Sequence, residues 1–249
     1  MSLLQALGIF GAGAAAGAIN VVVGSGTLIT FPVLLAFGYA PVVANVSNTI
    51  GLVPGSVAGA IGYRSELSGQ GRRVRTLCSA TALGAASGAT LLLTLPASAF
   101  KAIVPAFIAL ALVLIIAQPR LGAVLRRHRG HAHGRVGVGA WLAVFATGVY
   151  GGYFGAAQGI MLLAFLGLAF DEALQRLNAV KNILAGLANL IAGVIFAFAA
   201  HVSWPAAALI AAGSIIGGML GARYGRRLKP TPLRALIVAV GIVAIVRLV

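Results

Sequence analysis

Lys181 stands about two helical turns into an apolar segment, three residues after Asn178 and one before Asn182. An ammonium flanked by amides is chemistry suited to an anion, since each Asn adds two N–H donors and one carbonyl acceptor. A charged side chain at the bilayer centre costs ~2.5–3.5 kcal/mol on insertion scales, so such a residue usually has a purpose. The competing role is snorkelling of the long stem to the membrane surface. A second amide set occurs earlier, in Asn45-Val46-Ser47-Asn48-Thr49. Asn45 and Asn48 share one helix face, as do Asn178, Lys181 and Asn182, at spacings of three and four.

A glycine interruption of an apolar stretch precedes each set: Gly24-Ser25-Gly26-Thr27 and Gly155-Ala156-Ala157-Gln158-Gly159. Backbone in lipid must satisfy its own polar groups unless it lines a cavity inside the protein. Free N–H groups where the chain re-enters a helix carry partial positive charge and suit an anion. Packing of each unwound turn against another helix is the rival role. Interrupted segments at corresponding places in two halves of a chain point to a transporter binding site. The candidate substrate-binding residues are therefore Gly24, Ser25, Gly26, Thr27, Asn45, Ser47, Asn48 and Thr49 in the first half. In the second they are Gly155, Gln158, Gly159, Asn178, Lys181 and Asn182. Asn20 and Asn189 are equally well explained as bridges between helices.

Acids are nearly absent. Glu66 lies in a basic loop, and Asp171 and Glu172 lie at the edge of a segment, so no carboxylate reaches mid-membrane. That disfavours a cation carrier. His128, His131 and His133 read as solvated loop residues, and His201 has no evident partner. Cys78 is the single cysteine, which excludes an internal disulfide and a thiolate metal cluster. No cofactor and no metal is expected. The chain carries no His-Glu-xx-His, no Gly-x-Ser-x-Gly and no membrane carboxylate pair, so the expectation is a non-enzyme. An intramembrane enzyme and a scaffold subunit remain as rivals from other classes.

The elements that must position these residues are membrane helices. Of 249 residues, 60% are hydrophobic and 8% charged, against nearer 25% charged in a soluble domain. Apolar segments fall at 3–23, 27–38, 42–63, 76–95, 99–118, 136–155, 159–170, 174–198, 203–222 and 231–248. The first reads as a membrane helix and not a cleaved leader, because no Lys or Arg precedes it. Segments 27–38 and 159–170 reach only about 18–20 Å, against a hydrocarbon core of ~30 Å. Each is expected to pair with the preceding helix as a broken or re-entrant hairpin. The 34 glycines suit close helix contact.

Ten segments divide into five and five, and an odd number per unit inverts the second unit. The fold class expected is an all-α polytopic membrane protein with two inverted-topology repeats of broken helices. Residues 1–118 form the first membrane repeat, 119–135 a basic linker and 136–249 the second repeat. Thirteen of the eighteen Lys and Arg residues lie in 64–75, 119–135 and 223–230, which places these loops in the cytoplasm of a multi-pass inner-membrane protein. The formal charge of +15 thus reflects topology, and no nucleic acid is expected. A small anionic substrate and the lipid bilayer are the expected partners, with a homodimer left open. The repeat also shows in residue matching. Gly17 and Gly24 match Gly148 and Gly155 at an offset of 131, and Gly26, Asn45, Asn48 and Thr49 match Gly159, Asn178, Lys181 and Asn182 at 133.

At these residues the chain resembles the sulfite exporter family, TauE/SafE, of bacterial membrane transporters. The resemblance rests on the break at 24–26 followed by Pro32 and on Ala44-Asn45-Val46-Ser47-Asn48-Thr49. It rests equally on the second break leading to Gln175-Arg176-Leu177-Asn178-Ala179-Val180-Lys181-Asn182. It implies a carrier of two related halves that exports sulfite, sulfoacetate or a related organosulfonate. Many relatives have a fuller Gly-x-Gly-Gly-Gly run where this chain has Gly-Ser-Gly-Thr and Gly-Ala-Ala-Gln-Gly. Uptake of another small anion is the alternative within transport.

Overall fold

The computed structural model describes residues 1–127, 136–225, 237–239 and 242, which form helices and their connections with no strand among them. The helices are α1 (Leu3–Val22), α2 (Thr27–Ala36), α3 (Pro41–Gly62), α4 (Gly71–Thr94), α5 (Ala97–Arg127), α6 (Val138–Tyr153), α7 (Gln158–Ala169), α8 (Leu174–Ala199) and α9 (Trp204–Tyr224). Most of the expected segment 231–248, the histidines 128, 131 and 133, and residues 128–135 and 226–230 of the basic stretches lie outside the described residues.

Local signals account for the ends. Ser2 and Gln5 start α1 with reciprocal side-chain to backbone hydrogen bonds of 3.0 and 3.2 Å. Pro41 opens α3, where its missing N–H costs nothing. Two expected boundaries move. α4 starts at Gly71, so Arg72, Arg73 and Arg75 stand on its first turns and not in a loop, and α5 runs on to Arg127. Arg and Leu are good helix formers, so a helix need not stop where the apolar layer does.

Among the described residues, five helices are long and apolar enough to cross a membrane: α1, α4, α8, α9 and the Ala97–Gln118 part of α5. α2 and α7, at 10 and 12 residues, reach about 15 and 18 Å. Large apolar side chains such as Leu7, Val113, Ile116, Val194 and Phe198 are exposed. Lipid removes the penalty that water would impose on them.

Each short helix folds back along the one before it. Phe37, just past α2, returns to Gly8 near the start of α1. α3 and α8 run antiparallel, Gly186 facing Ser56 and Gly193 facing Ile50 and Val53. Two pairs run parallel. In α1 and α9, Gly13 lies on Ile210 and Gly17 on Ser214. In α4 and α6, Gly84 lies on Phe145 and Gly88 on Val149. These pairs unite helices on either side of 119–135, so packing crosses the boundary between the expected sequence halves. Glycine on the contact face lets backbones approach closely, which is the main source of association in lipid.

A Cβ on Gly217 would collide with the Ala14 carbonyl, whereas nothing lies within 4 Å of one on Gly11. Gly217→Val is expected to cost more than the ~1–3 kcal/mol usual for overpacking, because backbone must move. Gly11→Ala should be neutral or better. Thermal unfolding in detergent, followed by the monodisperse fraction, checks both.

Candidate functional site

The two breaks are built alike. In the first, the N–H groups of Val23 and Gly24 both donate to Ile19 O, at 2.7 and 3.0 Å. In the second, those of Phe154 and Gly155 both donate to Tyr150 O, at 2.9 and 3.0 Å. Gly24 and Gly155 take φ of 87° and 77°, the left-handed geometry that ends a helix without a Cβ clash. The matching pairs are all 131 residues apart. The breaks then touch, Gly159 N–H donating to Gly24 O at 3.0 Å. A Cβ on either glycine would strike the other's backbone.

The amide sets cap the broken helices crosswise. Asn45 of α3 donates through Nδ2 to Tyr153 O at the end of α6, at 2.9 Å. Asn178 of α8 donates to Val21 O at the end of α1, at 3.2 Å. Both Asn residues stand four positions after their helix start, and they are held from opposite ends because α3 and α8 are antiparallel. Lys181 adds to the α1 cap, with Nζ 3.0 Å from Asn20 O and 3.0 Å from Val21 O. Its side chain is fully buried, so it does not snorkel. Cationic capping of a helix C-terminus opposes the negative end of the helix dipole. The chain's only acids, Glu66, Asp171 and Glu172, lie outside the breaks, and Glu172, nine residues before Lys181, pairs with Arg73 and Arg176 instead.

The remaining expected residues divide. Asn48 Nδ2 donates to Thr27 Oγ1 at 3.3 Å and its Oδ1 accepts from Thr30, so α3 is tied to the start of α2. Ser47 instead accepts from Ser203 N–H at 2.9 Å and anchors the entry to α9. Thr49 bonds its own helix, at Asn45 O. The amides expected to be free at Gly159 are not: Gln158, Gly159, Ile160 and Met161 all donate to backbone carbonyls. At the first break, Ser25, Gly26 and Thr27 N–H groups donate to no described residue, and at the second only the turn residues Ala156 and Ala157 share that state.

Buried polar atoms without partners gather here. They include Ser25 Oγ, Gln158 Nε2, Asn182 Nδ2, Tyr153 OH and the Oδ1 atoms of Asn45 and Asn178. Natural proteins leave few such atoms, and each calls for an explanation such as a ligand. Tyr153 and Tyr150 were not among the expected residues. They sit in an aromatic cluster with Phe31, Phe100, Phe107 and Phe154 that backs the second break, with Phe31 5.1 Å from Phe154. The signal in the sequence was the run Tyr150-Gly151-Gly152-Tyr153-Phe154 directly before the break.

At the end where α3 finishes and α8 starts, ions tie the two sides together. Glu172 pairs with Arg73 at 3.0 Å and Arg176 at 2.7 Å, and Arg176 also donates to Ser68 O. Arg73 lies over the Phe170 ring at 4.2 Å.

A bundle of lipid-facing helices around two opposed, internally capped breaks defines a polytopic membrane protein with an interior polar site. The chain is a membrane transporter that belongs to the TauE/SafE family, whose description reads "Sulfite exporter TauE/SafE" and whose profile matches residues 9–248. It is similar to a "Probable membrane transporter protein" of Haemophilus influenzae, 28% identical over 92% of this chain and 89% of that one. It is likewise similar to "Probable membrane transporter protein ORF9" of Sinorhizobium sp, 29% identical over 96% and 90%. "Probable membrane transporter protein YfcA" of Escherichia coli K12 is 28% identical over 86% and 76%. No solved structure matches the chain.

Partial burial pushes the Glu172 carboxyl up, but hydrogen bonds and charge from Arg176 and Arg73 outweigh this and hold it below its ordinary value. A carboxyl lowered on folding stabilises the protein above its unfolded pKa, and that contribution is lost as pH falls through the folded value. Acidification below about pH 4 should therefore lower the melting temperature of wild type more than that of Glu172→Gln. Melting curves of the two proteins against pH measure the difference.

Proposed function

We propose that this protein carries a small sulfur-containing anion (sulfite, sulfoacetate or a related organosulfonate) outward across the cytoplasmic membrane by alternating access. The observation that supports it best is Lys181: a fully buried side chain in a chain whose acids all lie elsewhere. The Asn20 and Val21 carbonyls carry only partial charge, so an anionic substrate would complete the compensation that a buried charge requires. Ser25 Oγ, Gln158 Nε2 and Asn182 Nδ2 add unpaired donors, and the N–H groups of Ser25 to Thr27 add three more. Oxyanions accept several such bonds at once, and charge-assisted ones are the stronger kind.

Residues 1–118 and 136–249 would be inverted repeats joined by a basic cytoplasmic linker at 119–135. Antiparallel α3 and α8, the shared 131-residue offset of the two break geometries and the crosswise caps support that reading. The basic stretches 64–75, 119–135 and 223–230 would face the cytoplasm. An inside-negative potential then favours outward movement of the anion by ~2.3 kcal/mol per charge per 100 mV, without a transported cation. Opening toward the cytoplasm would require the Arg73–Glu172–Arg176 cluster to part.

Flux of sulfite and of sulfoacetate in proteoliposomes under an imposed potential tests the proposal. Wild type should show potential-dependent flux. Lys181→Met should lower it by about tenfold or more, since an ion-assisted hydrogen bond is worth ~1.5–3 kcal/mol. The Asn45→Ala/Asn178→Ala protein should be similarly impaired. Undiminished flux in Lys181→Met, in protein that is still monodisperse, would remove its assigned role.

A further inference from the structure

Superposing the two breaks by their 131-residue offset exposes one difference. The carbonyls of Asn20 and Val21, which receive the Lys181 ammonium, correspond to those of Gly151 and Gly152. No described residue donates to Gly151 O or Gly152 O. The residue in the place of Lys181 is Asn48, and it turns toward Thr27 and Thr30. α6 therefore ends in the buried interior with the Gly151 and Gly152 carbonyls uncompensated behind the Asn45-capped Tyr153 O, while α1 ends on a cation.

A second observation points to the same place. Asn45 is fully buried, and its Nδ2 is fixed on Tyr153 O, which leaves Oδ1 as an unpartnered acceptor beside the end of α6. Its orientation is not arbitrary: exchange of the amide atoms would set Oδ1 against a carbonyl oxygen. Two orphan main-chain carbonyls and an orphan amide oxygen, at the negative end of a helix, form a set of hard neutral oxygen donors. Ends of broken helices in transporters coordinate small cations through such groups. With no carboxylate in the set, the charge it suits is single. Among the described residues no three His, Cys, Asp or Glu come together, so a transition metal has no ligand group.

We propose that Gly151 O, Gly152 O and Asn45 Oδ1 bind a monovalent alkali cation of the sodium class, which does for α6 what the Lys181 ammonium does for α1. The crosswise cap is shifted by one residue between the breaks, since Val21 corresponds to Gly152 while Asn45 holds Tyr153. Tyr153 O thus lies at the margin of the site. This proposal does not rest on the identity of the transported anion.

The test is binding of radiolabelled sodium to detergent-purified protein, with melting temperature read in parallel. Sodium chloride is compared with N-methyl-D-glucamine chloride at constant chloride, with no sulfur oxyanion present. Wild type should bind sodium saturably and melt higher in it. Asn45→Ala should bind at least about tenfold more weakly, the loss expected for a charge-assisted contact. Asn48→Lys should place a tethered ammonium at the end of α6, abolish sodium binding and raise the melting temperature in N-methyl-D-glucamine. Lys181→Met should retain sodium binding, which separates this site from the anion site. No binding of sodium, lithium or potassium by wild type would overturn the proposal, as would unchanged binding in folded Asn48→Lys and Asn45→Ala. Failure of sulfite flux with sodium binding intact would count only against the carrier's assigned substrate.

Discussion

A helix that stops inside an apolar layer leaves carbonyls pointing where no water can reach them. The arrangement of α1, α3, α6 and α8 follows from that constraint. α1 and α6 both end in the interior, each with two amides folded onto one carbonyl and a left-handed glycine. Part of what those turns leave over is met from the other side of the molecule, by Asn178 and Lys181 for α1 and, at Tyr153 O alone, by Asn45 for α6. Neither broken helix is complete within its own half of the sequence. An unmade hydrogen bond to a buried group costs ~1–3 kcal/mol, so the halves are obliged to meet.

Small residues make that meeting feasible. The parallel pairs α1 with α9 and α4 with α6 draw close on Gly13, Gly17, Gly84 and Gly88, and each pair unites segments from both sides of 119–135. α3 also packs on α9, through Gly55 on Ser214. The packing groups are therefore interlaced and do not coincide with the sequence halves. In the alternating access proposed above, opening would keep these backbone contacts and part surfaces without them, such as the ion cluster of Arg73, Glu172 and Arg176.

Symmetry of backbone and asymmetry of side chains coexist at the breaks. The turn that ends each broken helix recurs residue for residue, yet position 181 is an ammonium where position 48 is an amide. One exchange of this kind changes the electrostatics of a buried site far more than its shape. In a low-dielectric interior a single unpaired charge outweighs several neutral dipoles. The opposite ends of the bundle differ similarly. One is tied by ion pairs, while the link between Ser203 and Ser47 at the other is a neutral hydrogen bond.

Much of this was legible in the sequence because it lies in local patterns. Interrupted apolar runs located both breaks, and the offsets of 131 and 133 matched Asn45 with Asn178 before any fold was known. Loop charge and segment count gave the all-helical membrane class. The sequence could not reveal what each polar residue touches. Lys181, Asn45 and Asn178 all bond main-chain carbonyls, and a carbonyl has the same identity under every side chain. Ser47, on the same stretch as Asn45, turned out to face the entry to α9, because two steps along a helix rotate a residue about 200° away. Tyr153 entered the site through the cross-packing of α5 and α6, and Gly159 lost its free amide to Gly24 O. Local order is encoded by periodicity and turn residues; partnership across the bundle is decided only when the helices pack.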